Sequence, residues 1–304
     1  MKNSIPVFFV HSGNNDYLEY TIKQAEKTNE YVYLLGDQSN VYRAKHWISM
    51  KDYITDEYIA FTKKYVHMSF NPYLFELNCF RRFFVTYEYA KEHCIKHFML
   101  LDSDLLSFGN YSEIDFGNAI AGFSMPENQE DYNWTASPHC SYWTLDGMKQ
   151  FLEYLSYEYT IGIHELEEKW SYHQNNNIMG GICDMTLLYL WARNLEKGKI
   201  FNTSVVRNGT VFDHFLSVSQ GYKTGNFPVR KFCNIKQFKF EHGKAYFKDN
   251  LGEWIRTYSI HAQGKSKIYI KALYEQQNNI WNYRWIKIRD LCRRAMLKAV
   301  KIVR

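Results

Sequence analysis

Residues 97–108, "HFMLLDSDLLSF", carry the most informative pattern in the sequence. Four apolar residues run directly into Asp102 and Asp104, after which apolar residues return. Such a run predicts a buried strand that ends at two carboxylates. Residues two apart in an extended segment point to the same side and lie about 7 Å apart, at a rise of roughly 3.3 Å per residue. Both carboxylates can therefore converge on one cation, and oxygen ligands of this kind suit Mg²⁺ or Mn²⁺.

The first part of the chain alternates between predicted strands and helices. Strands are predicted in "IPVFFVHSGN" (5–14) and "EYVYLLGD" (30–37), and helices in "DYLEYTIKQAEKT" (16–28) and "LFELNCFRRFFVTYEYAKEHC" (74–94). This alternation predicts an α/β fold with a mainly parallel sheet flanked by helices. In such sheets ligands bind beyond the carboxyl ends of the strands, and the two aspartates lie at such an end.

The rest of the chain shows weaker patterns. One later helix is predicted with Thr144 as its cap, and another is predicted to begin near Asp184 and to end at Gly198. Residues 40–66 show no clear pattern. Residues 200–260 contain short β-like runs such as "KQFKFEHGKAYFKD".

Charge is distributed unevenly along the 304 residues. The net charge is +5, but residues 281–304 hold eight basic side chains against Asp290, so the remainder of the chain is slightly negative. The six cysteines form no Cys-x-x-Cys pair, which indicates reduced thiols. The apolar run Ile5–Val10 is too short for a secretion signal or a membrane span. We therefore expect a cytoplasmic protein with a basic tail.

A second motif lies far downstream, in "SIHAQGKSKIYI" (259–270). His261, Gly264 and Lys267 have the pattern His-x-x-Gly-x-x-Lys. A histidine can complete a divalent-metal site, a glycine lets the backbone approach a phosphate, and a lysine supplies a positive charge. An ordinary basic loop would explain this motif if it stood alone. A polar turn with both carboxylates in water would likewise explain the two aspartates alone, but the two motifs together favour a cation site, where a cation could neutralise a diphosphate and stabilise it as a leaving group.

These motifs, spread over about residues 5–270, resemble the nucleotide-sugar-dependent glycosyltransferases of the GT-A fold. Its late motif resembles that of the glycogenin-like group, but the chain as a whole more closely resembles bacterial enzymes that build capsule or lipopolysaccharide sugars. The resemblance implies that Mn²⁺ or Mg²⁺ is held on the donor diphosphate by Asp102, Asp104 and His261. It also implies that Lys267, with Gly264 beside it, contacts the phosphates.

Asp184 is the candidate catalytic residue. It follows Gly180 and Gly181 and opens an apolar helix, so an N-cap that satisfies free amides is one role for it. The other role is a general base in an inverting enzyme, or a group that orients the acceptor in a retaining one. Ile268 stands where the glycogenin-like group usually has proline, and the stereochemistry stays open. Asp213 is a weaker alternative base.

The nucleotide is expected at the first strand ends. Four residues occupy positions where GT-A enzymes hold the base and ribose, although a plain turn would explain each: His11, Gly13, Asn14 and Asp37. Arg81 and Arg82 precede the aspartates on a helix, where neighbours diverge by about 100°. At most one is expected to face the nucleotide and the other to face solvent. Trp143 and His139 could contact a sugar, although core positions are the stronger expectation.

The tail 271–304 is predicted as a unit separate from a domain of residues 1–270. On a helical wheel one side collects Trp281, Trp285, Ile288, Cys292, Met296, Ala299 and Val303. An adjoining side collects Arg284, Lys287, Arg294, Lys298 and Lys301. A basic amphipathic helix with tryptophans is typical of a helix that lies on an anionic membrane surface. The alternative is a terminal helix packed on the body. Nucleic acid is not expected as a partner, because the body carries no basic stripe.

The expected function is metal-dependent transfer of a sugar from a nucleotide-sugar, with UDP favoured, to a hydroxyl of a bacterial surface glycan or glycolipid. The expected location is the inner face of the cell membrane. One alternative is a haloacid-dehalogenase-type phosphohydrolase, although that group normally has Thr or Val where Leu106 stands. Another is a non-catalytic sugar-binding or scaffold protein.

Overall fold

The computed structural model describes residues 4–126, 129, 132–218 and 227–302, and the side chains among them up to residue 297. The strands are β1 Val7–His11, β2 Val32–Gly36, β3 His46–Ser49, β4 His97–Leu101, β5 Leu105–Ser107, β6 Ala121–Ser124, β7 Ser137–Thr144, β8 Ile200–Asn202, β9 Thr210–Val211, β10 Val229–Arg230, β11 Ile235–Lys236, β12 Phe238–Glu241, β13 Lys244–Lys248, β14 Trp254–Thr257 and β15 Ser259–His261. The α-helices are α1 Tyr17–Glu26, α2 Asp56–Lys64, α3 Tyr73–Glu92, α4 Leu145–Glu158, α5 Ile163–Asn175, α6 Asp184–Arg193, α7 Ile270–Tyr274 and α8 Ile280–Ile302.

A seven-stranded sheet in the order β3-β2-β1-β4-β7-β6-β8 forms the centre of the molecule. The first four strands in this order are parallel, β7 is antiparallel to both of its neighbours, and β6 and β8 are parallel. Helices cover both faces of the sheet. The predicted α/β fold with a mainly parallel sheet is therefore confirmed.

The apolar runs of β1 and β4 are continuous because helices bury both faces of these strands. Phe8 and Phe98 face the side that α3, α4 and α6 bury. Val7, Phe9 and Met99 face the opposite side, where α1 packs. Because successive side chains of a strand point to opposite faces, a strand covered on both faces must be apolar at every position.

The pairing of β5 with β15 connects the two predicted motifs. β4 ends at Leu101, the chain turns through Asp102–Asp104, and β5 then pairs antiparallel with β15. In this register Leu105 lies opposite His261. The late histidine is therefore held beside the turn that carries both aspartates.

A smaller sheet, in the order β12-β13-β14-β9, packs over the second apolar cluster of the molecule. Tyr283, in the first turns of α8, is fully buried in that cluster, where its ring contacts Phe238 and Tyr269. The start of the C-terminal helix therefore packs on the body. Within the described residues, no helix is both long and apolar enough to cross a membrane.

Several elements escaped the sequence patterns. Residues 40–66 contain β3 and α2, and neither β7 nor α5 was predicted. β7 is hard to predict because it is a central strand with polar side chains that are satisfied inside the sheet. For example, Ser141 donates to the carbonyl of Leu100 at 3.1 Å and accepts from the indole of Trp143 at 2.9 Å.

The two predicted helix boundaries had different outcomes. Thr144 caps α4 as expected, because its hydroxyl oxygen accepts from the Gly147 amide at 2.9 Å. The predicted end of α6 at Gly198 is wrong. The helix ends at Arg193 with Asn194 as its C-cap, and Gly198, with φ +92°, lies in a later turn.

Candidate functional site

Asp102, Asp104 and His261 form a cluster at the carboxyl end of β4. Each offers a ligand atom, and these atoms lie within 4.8 Å of one another. His261 Nε2 is 3.3 Å from an oxygen of Asp104 and 3.9 Å from an oxygen of Asp102. Lys267 Nζ lies 3.1 Å from the other Asp104 oxygen. The structure thus brings together four residues of the two sequence motifs.

The donor atoms of this cluster fit a divalent cation. His261 Nδ1 lies 2.8 Å from the carbonyl oxygen of His214, which can only accept, so Nδ1 carries the proton of the neutral ring. Nε2 is buried and makes no hydrogen bond of acceptable geometry. A neutral imidazole whose free Nε2 faces two carboxylates could hold a divalent metal ion.

Electrostatics keep Asp104 charged. Burial alone would raise the pKa of its carboxyl, but His261 and Lys267 beside it hold that pKa well below its usual range. For His261, burial alone would lower the pKa, but the Asp104 carboxylate outweighs it and raises the pKa of the ring. A proton and a cation therefore compete for the same Nε2 atom.

Arg82 links the cluster to Asp184. One guanidinium nitrogen donates to Asp102 and another to Asp184, and the arginine side chain is largely buried. Burial alone would lower the pKa of Arg82, but the two carboxylates raise it, so the guanidinium stays charged. A row of charged groups therefore runs through the site from Asp184 through Arg82, Asp102 and Asp104 to Lys267, with the His261 ring between the two aspartates of the cluster.

Asp184 is the first residue of α6, and the N-cap position belongs to Cys183. The N-cap position itself is therefore not that of Asp184, but its carboxylate satisfies a free amide of the first turn, as the N-cap interpretation expected. One of its oxygens accepts from the Met185 amide at 2.9 Å, and the other faces Arg82. The side chain sits almost fully buried at the start of a helix, where the dipole favours a negative charge.

A contact between two segments of the chain fixes the backbone that leads into Asp184. The Ile182 amide donates to the carbonyl of Met68 at 2.7 Å, and the Phe70 amide donates to the carbonyl of Gly180 at 2.9 Å. Gly181 pairs with Ser69 between these two bonds. The segment before α6 is thereby fastened to the segment before α3, the helix that carries Arg82.

Asp213, the alternative base, lies behind the cluster. It is fully buried, one of its oxygens lies 2.5 Å from Lys236 Nζ, and the other accepts from the His261 amide at 2.9 Å. These contacts support the backbone of His261 and leave no open side toward solvent. Trp143 is a core residue, as expected, and its ring contacts Phe83 and Trp191.

The turn after β1 is held by β2 and the residues that follow it. Asp37 accepts from the Gly13 amide at 2.7 Å and from the Ser39 amide at 2.9 Å. Asn40 is buried and donates to the carbonyls of His11 and Gly13, at 2.9 and 3.0 Å. Sequence patterns missed Asn40, because its partners are backbone groups on another strand end.

The other predicted nucleotide contacts also gather near this turn. Asn14 accepts from Arg43 at 2.6 Å, and His11 Nε2 lies 2.9 Å from the Asn15 amide group. Arg81 donates to the Ser12 hydroxyl at 2.8 Å. The two neighbouring arginines therefore diverge, since Arg81 reaches the turn through an exposed contact and Arg82 reaches the buried carboxylates; which of them faces the nucleotide stays a prediction.

Gly264 begins the 3-10 helix Gly264–Tyr269, which carries Lys267. Gly264 has φ +59°, and a Cβ placed there would meet no atom within 4 Å. The backbone beside Lys267 is therefore open to an approaching ligand. Lys267 Nζ also lies 5.0 Å from the ring centre of Tyr17, which limits where the ammonium group can move.

No family model and no curated protein matches the chain. Among solved structures, it is similar to mouse xyloside xylosyltransferase 1 at 12% identity and TM-score 0.41, over 65% of this chain and 84% of that one. It is similar to a glycosyltransferase involved in glycosylation of the major capsid of PBCV-1 at 9% identity and TM-score 0.40, over 89% and 98%. It is also similar to the WbbM bifunctional glycosyltransferase at 9% identity and TM-score 0.42, over 91% and 52%.

We expect Gly181→Ala to destabilise the protein and to loosen the Arg82–Asp184 contact. Gly181 has φ +143°, and a Cβ there would lie 2.4 Å from the Met68 carbonyl oxygen. The strained backbone alone costs of order 1–3 kcal/mol, and the clash adds to it. Urea unfolding would measure the loss. Gly198→Ala is the matched control, because its φ is also positive but nothing lies within 4 Å of its Cβ. Equal losses in both variants would contradict the role of the Gly181 contact.

Proposed function

We propose that this protein is a metal-dependent glycosyltransferase that uses a nucleotide-sugar donor. The observation that carries the proposal is the convergence of Asp102, Asp104 and the free Nε2 of His261, with Lys267 beside them. This cluster lies next to the turn after β1, at the sheet edge where α/β proteins bind nucleotides. A diphosphate bound between the metal cluster and the turn after β1 would face the cation, Lys267 and the open backbone at Gly264.

The metal cluster, Lys267 and the turn after β1 would bind the donor. A divalent cation bound at the cluster would supply positive charge to the departing diphosphate. Lys267 would contact the same phosphates as a point charge. The turn at Gly13, together with Asp37, would hold the base and ribose. His11, Asn14 and Arg81 would line the same nucleotide pocket.

Asp184 and Arg82 would face the reacting sugar and its acceptor. Each oxygen of Asp184 already accepts one hydrogen bond and keeps a lone pair for a substrate hydroxyl. Because Arg82 fixes this carboxylate in place, the contacts favour a role in binding and orienting a hydroxyl over that of a freely moving base. Asp213 is buried against Lys236 and is not assigned a catalytic role.

The finer identity follows from the sequence resemblance. We propose a UDP-linked donor and, as acceptor, a hydroxyl of a bacterial surface glycan or glycolipid, with transfer at the inner face of the cell membrane. The phosphohydrolase alternative requires an aspartate free to attack phosphorus. Asp102 is already bound by Arg82, which disfavours that alternative.

We expect Asp104→Asn to abolish sugar transfer while the protein stays folded. Loss of an outer partner of a metal site alone costs about 10–100-fold in affinity, so loss of a ligand should cost more than about 100-fold. Thermal shifts with UDP, GDP and CMP conjugates, each with Mn²⁺ and with EDTA, would reveal binding through stabilisation of the native state. In the variant, the shift should lose its dependence on Mn²⁺.

Asp115→Asn is the control for this experiment, because Asp115 is exposed and lies with Pro6 and His97 near the starts of β1 and β4, whereas the cluster lies where β4 ends. It should behave as the unsubstituted protein does. A metal-dependent shift retained in Asp104→Asn would overturn the metal role of that residue. Nucleotide binding without turnover of any donor would favour the non-catalytic alternative.

We expect the affinity for Mn²⁺ to rise with pH. The pKa of His261 lies above its ordinary value, so the ring is protonated at low pH, and the cation must displace that proton. At pH values below the raised pKa of His261, the dissociation constant for Mn²⁺ should fall by about tenfold for each unit that the pH rises. Above that pKa, the dissociation constant should change little with pH. Titration followed by the electron paramagnetic resonance of free Mn²⁺ would test this. An affinity independent of pH between 5 and 8 would contradict His261 as a ligand.

The C-terminal helix supports the proposed membrane contact. Trp281 and Trp285 are 59% and 62% exposed, and Met296 is 69% exposed, so the apolar side of α8 faces away from the body. A cavity of about 420 Å³ opens beside it, lined by Phe232, Trp281, Arg284, Trp285 and Ile288. The side chains of residues 298–302, and residues 303 and 304 themselves, lie outside the described part. They include the predicted wheel positions Lys298, Ala299, Lys301 and Val303.

We expect the double variant Arg289→Gln/Arg293→Gln to weaken binding to vesicles that contain phosphatidylserine by about 30-fold, at about 1 kcal/mol per arginine near an anionic surface. Both arginines are exposed on α8, on the side of the helix that borders Lys271 and Glu275. Co-sedimentation would measure it, with purely zwitterionic vesicles for comparison. Lys149→Gln/Lys197→Gln removes the same charge from other exposed positions and should change little. Equal losses in both double variants would refute a contact specific to α8.

A further inference from the structure

His139 lies directly behind the metal cluster, on β7. It is fully buried, and its ring is parallel to that of His261, with 4.5 Å between ring centres and 2° between planes. No substrate group can reach it there, so it is not a catalytic residue. Its position raises the question of why a polar ring is buried against a metal ligand.

The hydrogen bonds of His139 fix its tautomer. Nε2 lies 2.7 Å from the carbonyl oxygen of Asp213 and must donate to it. Nδ1 lies 2.8 Å from the Ser137 hydroxyl and therefore accepts from it. The ring is neutral in this arrangement, and burial lowers its pKa well below the ordinary value. A cation could bind nearby without repulsion from this histidine.

The same residue contacts both sides of the cluster. The backbone carbonyl of His139 accepts from the Asp102 amide at 2.8 Å. Its ring covers one face of His261, and its Nε2–H holds Asp213, whose carboxylate accepts from the His261 amide. His139 therefore contacts two of the proposed ligands, Asp102 and His261, and also Asp213, which supports His261.

We propose that His139 is a positioning residue for the metal site: its stacked ring fixes the plane of the His261 imidazole, so that Nε2 points at Asp102 and Asp104 before any cation arrives. This inference rests on the proposed metal site. An imidazole held at Nδ1 by a single hydrogen bond can still rotate about its side-chain bonds. A flat ring packed at 4.5 Å on one face blocks that rotation, and ligand orientation of this kind is what outer-shell groups contribute to metal affinity.

Two substitutions distinguish the effect of the stacked ring of His139 from the effect of its hydrogen bonds. His139→Gln keeps an amide that can donate to the Asp213 carbonyl but removes the flat ring. His139→Phe keeps the ring but removes both hydrogen bonds. The probe is Mn²⁺ alone, without nucleotide, and the readout is free Mn²⁺ by electron paramagnetic resonance. Folding is checked by circular dichroism in the aromatic region.

We expect His139→Gln to raise the Mn²⁺ dissociation constant by about 10–100-fold, and His139→Phe to raise it much less. His97→Gln and His97→Phe are the controls, because His97 lies on β4, and its ring is also nearly parallel to a neighbouring ring, that of Tyr142. Both controls should bind Mn²⁺ as the unsubstituted protein does. Unchanged affinity in His139→Gln, or an equal loss in His139→Phe, would overturn the proposal.

A second measurement needs no variant and covers the case in which a substitution prevents folding. Nitrogen spectra of the histidine rings should show His139 protonated at Nε2, and its signals should shift together with those of His261 when Mg²⁺ is added. Protonation at Nδ1 instead, or signals that ignore Mg²⁺ while those of His261 move, would overturn the positioning role. If the unsubstituted protein binds neither ion, the metal site itself fails, which is a distinct result.

Discussion

The pairing of β5 with β15 is the contact on which the rest of the site depends. Only three residues pair on each strand, yet this register sets His261 beside Leu105 and therefore beside the turn that carries the two aspartates. Both strands are fully buried, so a slip by one residue would turn His261 to the wrong face. Backbone hydrogen bonds, rather than the side chains of the cluster, thus determine which residues meet.

Charge compensation is the second constraint. Two aspartates brought close together repel each other unless cations lie nearby. Lys267 stands beside one of them and Arg82 beside the other, and Arg82 also compensates Asp184. The protein therefore tolerates this concentration of carboxylates without a bound metal, while it leaves one imidazole nitrogen free for a cation.

Much of this arrangement could be predicted from the sequence. The apolar strand predicted where Asp102 and Asp104 would lie, and the spacing in the late motif singled out His261 and Lys267. The partners of Arg82 could not be predicted, because a helical wheel gives the direction of a side chain and not what lies there. His139, Asn40 and the whole of β7 were missed or undervalued for a related reason. Their polar groups are satisfied by backbone atoms distant in sequence, and no local pattern records such bonds.

The distance in sequence between β5 and β15 has a consequence for how the protein is made. A chain emerging from the ribosome can form the early strands and α3 long before residue 261 is synthesised. Until then β5 lacks β15, the strand with which it pairs, and two of the three proposed metal ligands stand without the third. The nascent protein would be unable to hold a cation tightly, and its binding activity would arise only after residue 261 has emerged, when a long loop closes at an entropic cost.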